Sequence, residues 1–400
     1  MRRRLTALVL LAAAAGVGGY LALSGGEGHN PRHGSPPVRA QGGLEVALQD
    51  DPVFIRDAYY DRERAYADAR RLGMSWLRIN VYWHSVLGPA ARRRRAPARP
   101  RYDWGSYDRA ILAAHAHGVR VELTLTGPAP RWATAGAPGG VDRPDAGAFA
   151  GFARAAASHF RGRVRRYSIW NEPNYATFLS PQSAAPALYR RLFEASSSAI
   201  RAVDPGAQVL IGETAPNGVR GKVIAPLEFL RRVACATPAY RPARRCAPLR
   251  ADGYAHHPYQ FLAPPERSRT GVDNVAIGSL DRLTAALDRL AAAGLLSTPG
   301  GDPLPVYLTE FGYFRRGGRV LPPAVRAAYL RRAFALAARD YPRVRQMLQY
   351  LLVSPPIEYP GGHFDTSIVS RSGKPTRSFE ALAAWTAAQR RFGRIAPPAP

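Results

Sequence analysis

The sequence predicts a closed (β/α)8 barrel over residues 44–391, and three features lead there. Short apolar or β-rich runs alternate with Ala/Leu/Arg-rich helical patterns, which implies parallel strands joined by right-handed crossovers. Eight such units are present, enough to close a barrel whose functional face lies at the C-terminal ends of its strands. Polar and titratable side chains gather just past those ends, which a purely structural barrel has no reason to arrange. An open doubly wound sheet would want a glycine-rich turn after its first strand. The segment found there, VALQDDPVF, has no glycine.

The predicted strands are Leu44–Leu48, Ser75–Asn80, Val119–Leu125, Arg166–Trp170, Gln208–Ile211, Ala251–His256, Pro305–Thr309 and Gln346–Leu352. Helices are predicted at Arg62–Leu72, stopped by Gly73, and at Ala146–Phe160, capped by Asp145. Further helical patterns run over Pro186–Val203, Leu280–Ala293, Pro323–Arg339 and Thr376–Arg391, with residues 392–400 left as a tail.

Ahead of the barrel, Arg2, Arg3 and Arg4 precede an apolar stretch from Leu5 to Leu23. A basic start followed by an apolar run reads as an export signal, or as an N-terminal membrane anchor, over residues 1–24. Residues 25–43 read as a flexible Gly/Pro/Ser/His linker. A secreted or extracytoplasmic protein is therefore expected, touching a membrane only through that segment. Cys235 and Cys246, the only cysteines, fit such a compartment as a disulfide closing a local loop.

The formal net charge is +27, and all but two of the 56 basic residues are arginine. An anionic partner is one reading; a solvated surface is the preferred one, because most arginines are scattered. Arg92–Arg95 is the longest run, and without interleaved aromatics it does not indicate nucleic-acid binding.

The rim carries the chemistry. Glu172 and Glu310 each follow an apolar strand directly, three units apart, and so face each other across the mouth. Two opposed carboxyl groups are the minimum needed to cleave a glycosidic bond: a proton donor for the leaving oxygen, and a nucleophile or activator of water. Trp83, Trp132, Tyr175 and Tyr313 lie just beyond strand ends, where an aromatic face can stack on a sugar ring. Glu213 reads as a supporting rim acid and His256 as a core or supporting residue. His115 and His117 read as solvent-facing on a helix. One His-His step with distant acids is too little for a metal site, so no metal or cofactor is expected.

Trp170-Asn171-Glu172-Pro173 resembles the fourth-strand Asn-Glu signature of glycoside hydrolase clan A, the retaining (β/α)8 glycosidases, and is most similar to the cellulase-like and xylosidase-like members. The resemblance covers residues 44 to 391. It implies that Glu172 is the acid/base and Glu310 the nucleophile, with Asn171 bonding the substrate 2-OH. It also implies that Arg78 braces the nucleophile, and that His257 and Tyr259 form the His-x-Tyr pair whose hydroxyl reaches it. Two departures concern the substrate. The third strand lacks the histidine common in the cellulase-like family. The eighth, MLQYLLVSPP, lacks the tryptophan that often floors the sugar site, leaving Tyr350, a loop residue or no aromatic floor as alternatives. The expected partner is a carbohydrate and the expected state a monomer. A transglycosylase using the same residues and a non-catalytic basic polysaccharide-binding barrel are the other readings.

Overall fold

The computed structural model describes residues 43–134, 139–243, 245–268, 270–317 and 319–397. The export segment and, apart from Gly43, the linker read from the sequence lie outside the described residues.

Eight strands close the barrel: β1 (Glu45–Gln49), β2 (Trp76–Tyr82), β3 (Arg120–Thr126), β4 (Arg166–Ile169), β5 (Gln208–Thr214), β6 (Gly253–His256), β7 (Val306–Leu308) and β8 (Val344–Tyr350). Every neighbouring pair is parallel, and β1 is hydrogen-bonded to both β2 and β8. All eight expected strands form, with ends shifted by at most three residues. A short parallel pair, Leu249–Arg250 with Leu296–Ser297, lies outside the barrel.

The strand period of two sorts side chains to opposite faces. On β2, Leu77, Ile79 and Val81 pack into the main apolar core, while Arg78 and Asn80 point the other way. The barrel interior is unusually polar. Arg166 lies deep inside, sandwiched between Trp76 at 3.7 Å and Tyr307 at 4.4 Å and bonded to Glu45 at 2.7 Å. Glu122 sits 3.8 Å from that guanidinium, and burial pushes its carboxyl up to about 7.

The expected helix signals are present. Asp145 accepts from Ala148 N at 2.6 Å and caps helix Ala146–Phe160. Gly73, with φ +68°, takes up the left-handed backbone that ends helix Arg62–Arg71. Helices Gly105–Ala116 and Pro226–Val233 complete units to which the sequence pattern gave no bounds. His115 is exposed as expected. His117 departs from expectation: it lies at the C-cap, half-buried, stacked on Tyr66 and bonded to Glu63 at 2.9 Å. Within the segment read as a tail, Ile395 bridges to Leu44 and is 3% exposed, so residues 394–396 pair with the start of the barrel.

Cys235 and Cys246 are disulfide-bonded across 11 positions. Breaking so short a loop by Cys235→Ser should lower stability by about 2–3 kcal/mol in the chain-entropy account. Mass spectrometry of the native protein should find no free thiol. Two titratable thiols, or an unchanged melting temperature in the variant, would contradict this.

Candidate active site

The C-terminal ends of β2, β4, β5, β6 and β7 bring one buried cluster together. Arg78, fully buried, is its hub. Its guanidinium donates to Thr124 Oγ1 at 2.8 Å, Glu310 Oε1 at 2.8 Å, Glu213 Oε2 at 2.8 Å and Asn171 Oδ1 at 3.1 Å, and also to Gln49 Oε1. A planar five-donor fork can serve this many acceptors at once; an ammonium cannot. Tyr259 donates its hydroxyl to Glu310 Oε2 at 3.0 Å. Glu310 is thus held by the Arg78 guanidinium and the Tyr259 phenol, with His257 Nδ1 3.7 Å from its Oε2.

His257 joins the three acids. Nδ1 meets Glu172 Oε1 at 3.0 Å and Nε2 meets Glu213 Oε2 at 2.7 Å. Burial works against a charged ring, but Glu310, Glu172 and Glu213 outweigh it and push His257 up to about 10. One oxygen of each of Glu172 and Glu310 and one nitrogen of His257 all lie within 4.8 Å of one another. Both ring nitrogens thus face carboxyl groups.

The acids are differentiated by environment. Burial pushes the Glu172 carboxyl up, although the His257 hydrogen bond opposes it. Glu213 is buried more deeply still, yet Arg78 and then His257 overcome burial and hold it at about 2. One acid is therefore suited to carry a proton and the other fixed as a carboxylate.

The backbone here is strained. Trp170 at φ 65°, Glu172 at φ 41° and Glu213 at φ 51° all adopt the left-handed region without being glycine. The surroundings enforce it. Trp170 N bonds Leu125 O at 2.8 Å, its indole donates to Phe178 O at 3.0 Å, and Asn171 N bonds Thr126 Oγ1 at 3.0 Å. The Trp170 ring lies against Gly127, where a Cβ would come within 2.7 Å of it, so only glycine admits the ring.

The structure brings Glu172, Glu310, Asn171, Arg78, His257 and Tyr259 into contact and makes Glu213 a partner of three of them or their neighbours. The expected sugar platforms fare differently. Trp83 is 0% exposed, stacked on Phe152 and edge-on to Trp132 and Phe149, so no face is open. Tyr313 is 1% exposed and ties its hydroxyl to Ala263 O. Both are core residues, because the loops after β2 and β7 fold their aromatics inward. Trp132 and Tyr175 stay half-buried. His256 is buried between Thr214 Oγ1 at 2.9 Å and Val275 O at 3.0 Å, in the supporting role expected. Arg92–Arg95 is exposed in the loop after β2 and makes no ion pair among the described residues.

Sequence reasoning missed Gln49 and Asp51, which stand beside Arg78, and the Phe261 and Phe364 rings packed on Tyr259, with Phe314 against both. Gln49-Asp50-Asp51 follows an apolar strand as directly as Glu172 does, so the position past a strand end was readable, while the contact with Arg78 was not.

The fold is shared with solved glycosidases. A family 39 glycoside hydrolase from the gut symbiont Bacteroides cellulosilyticus WH2 superposes with a TM-score of 0.63 at 18% identity, over 87% of this chain and 64% of that one. A monomeric beta-xylosidase from Caulobacter crescentus CB15 gives 0.56 at 21% identity, over 88% and 69%. A glucosidase from Croceicoccus marinus gives 0.60 at 13% identity, over 88% and 68%. The chain thus spans just under two thirds of the length of the first. No protein-family profile and no curated protein matches the sequence.

Proposed function

We propose that this chain is an exported retaining glycoside hydrolase with Glu310 as nucleophile and Glu172 as acid/base. The observation that carries this reading is that one oxygen of Glu172 and one of Glu310 lie within 4.8 Å of each other. Retaining enzymes keep their carboxyls about 5–5.5 Å apart, whereas inverting enzymes need roughly 6.5–9.5 Å for an intervening water. The likeness to solved glycosidases supports it, as do the basic and apolar N-terminal segment and the disulfide for export.

In the first step a Glu310 oxygen attacks the anomeric carbon while the bond to the leaving oxygen breaks, and Glu172 gives that oxygen its proton. A glycosyl ester of Glu310 results. In the second step Glu172 takes a proton from water, whose oxygen attacks the anomeric carbon and releases Glu310 as carboxylate. A sugar hydroxyl in place of water would give transfer. Asn171 has its Oδ1 taken by Arg78, which leaves its NH2 to donate to the substrate 2-OH. His257 and Glu213 touch Glu172 and Arg78 and act as positioning residues.

A panel of 4-nitrophenyl glycosides and β-glycans tests the activity: turnover of at least one is expected, and none across the panel would overturn the reading. Glu172 must be protonated to act, and its carboxyl is raised above the ordinary 4.5. The kcat/KM for a poor leaving group should therefore stay high past that value and fall as pH rises through the raised one. A 2,4-dinitrophenyl glycoside needs no protonation and should lack this alkaline limb. The same limb with both leaving groups would count against Glu172 as the acid.

A further inference from the structure

We propose that the arginine-rich loop after β2 docks an acidic polysaccharide at the edge of the catalytic mouth, on the face of the barrel where Glu172 and Glu310 lie. The proposal rests on the glycosidase reading for the chemical class of the polymer. It goes beyond that reading by assigning a binding surface outside the buried site.

The loop is a projection with one root. Asp103 N bonds Val86 O at 2.7 Å, so residues 87–102 leave and rejoin the body at the same place. Six of those 16 residues are arginine and none is Asp or Glu. Arg92, Arg93, Arg94, Arg95, Arg99 and Arg101 are all exposed, and none makes an ion pair among the described residues. Elsewhere, arginines such as Arg163, Arg201 and Arg231 pair with Asp108, Asp252 and Asp273, each at 2.7 Å. The formal charge of +27 is therefore concentrated and uncompensated here. Like charges crowded into a short loop repel one another, and a polyanion relieves that repulsion.

The loop is fixed to the mouth. Leu87 and Ala91 are 5% and 1% exposed, and the 3-10 turn Gly88–Arg92 packs against the turn Arg131–Ala133 after β3. Trp132 in that second turn meets Trp83 edge-on at 5.7 Å, and His84 N bonds Pro128 O at 3.0 Å. Gly127, next in the chain, lies against the Trp170 ring, two residues before Glu172. The arginines thus stand on the flank of the mouth that carries Glu172. Arg131, exposed and without an ion pair among the described residues, adds a cation to that flank.

The loop's chemistry selects among polyanions. Single-stranded nucleic acid is held by aromatic faces set among basic residues. No aromatic lies between Arg92 and Arg101, and Tyr102 is half-buried against Trp104. Lasting attachment to a membrane surface wants exposed apolar side chains beside the basic ones. Leu87 is buried, and none of the exposed large apolar residues belongs to this loop. A polysaccharide bearing carboxylates requires neither feature, because guanidinium forks pair with carboxylates directly. It is also the class of polymer that the neighbouring mouth is proposed to cut.

Biolayer interferometry of the whole chain on immobilised polygalacturonate tests this, with the fully methyl-esterified polymer as the same backbone without its charge. Docking through ion pairs releases counterions, so wild-type affinity for polygalacturonate should fall roughly tenfold or more between about 50 and 200 mM salt. The loop variant Arg92→Gln, Arg93→Gln, Arg94→Gln, Arg95→Gln should bind roughly tenfold or more weakly at the lower salt. A control of equal charge is Arg154→Gln, Arg161→Gln, Arg165→Gln, Arg191→Gln, also exposed and without ion pairs among the described residues, on outer helices and before β4. Charges so far from the loop are screened, and the control should lose about twofold or less. All eight side chains are exposed, so both variants should keep the wild-type melting temperature within a few degrees. No binding of polygalacturonate, equal binding of the methyl ester, or equal losses in the two variants would overturn the proposal. So would a loop-variant loss confined to single-stranded DNA or to phosphatidylglycerol vesicles. Aryl glycoside turnover, set in the buried site, should be the same in all three proteins. Loop-dependent binding without any turnover in the wild type would sink the glycosidase reading and leave the docking surface standing; turnover without loop-dependent binding would do the opposite.

Discussion

Replacing Glu310 with alanine should remove turnover on every substrate, by roughly 10⁴-fold or more, as happens when a covalent nucleophile is lost. Glu172→Ala should fail selectively. General acid–base assistance is worth about 10²–10⁴-fold, and a 2,4-dinitrophenyl leaving group dispenses with the acid part of it. That variant should form the glycosyl-enzyme rapidly and stall there, because no base activates water. Azide needs no base: its terminal nitrogen attacks the anomeric carbon, breaks the ester to Glu310, and yields a glycosyl azide of retained configuration. In Glu310→Ala, azide entering from the vacated side should give the opposite anomer. Equal and total loss for both variants on the activated substrate, without rescue, would contradict the assigned roles.

The second large effect belongs to Arg78. Arg78→Ala removes the cation that holds both Glu213 and Glu310 in a buried site. Breaking a buried pair by deleting one partner costs about 3–5 kcal/mol, so a marked fall in stability is expected together with loss of activity. Arg78→Lys should recover part of the stability and little of the activity, because one ammonium cannot span Glu213, Glu310, Asn171 and Thr124. A pH signature separates this from a packing defect. Glu213 has its folded-state carboxyl depressed from 4.5 to about 2, with Arg78 the largest lowering influence. A depressed carboxyl contributes stability above its unfolded value and loses it as pH falls through the folded one. Wild type should therefore lose that contribution between about pH 4.5 and 2, and Arg78→Ala should show little of it. Denaturant titrations at several pH values, giving parallel stability curves for the two proteins, would contradict the electrostatic account.

The barrel was legible because its signals are local. An apolar run such as Val119–Leu125 declares a strand by itself, and Asp145 declares a helix start. The acid pair was legible for a related reason: a carboxylate directly after an apolar strand has few structural uses. What stayed hidden depends on closure. Asp51 and Gln49 acquire neighbours only once β1 lies between β2 and β8, and no stretch of sequence reports that contact. Whether an aromatic past a strand end opens to the mouth or folds inward depends on loop conformation, which is why Trp83 and Tyr313 read as platforms and turn out to be core. Glu213 looked like one more rim acid, and its place against Arg78, His257 and Thr309 needed three different strands to be seen together.

The account turns on one distance, the 4.8 Å within which one oxygen of Glu172 and one of Glu310 lie of each other, and one measurement reads its consequence. A proton NMR time course on an aryl glycoside that the protein cleaves follows the anomeric proton of the first-formed product before mutarotation sets in. The account predicts the same anomeric configuration as the substrate. A first-formed product of opposite configuration would contradict it.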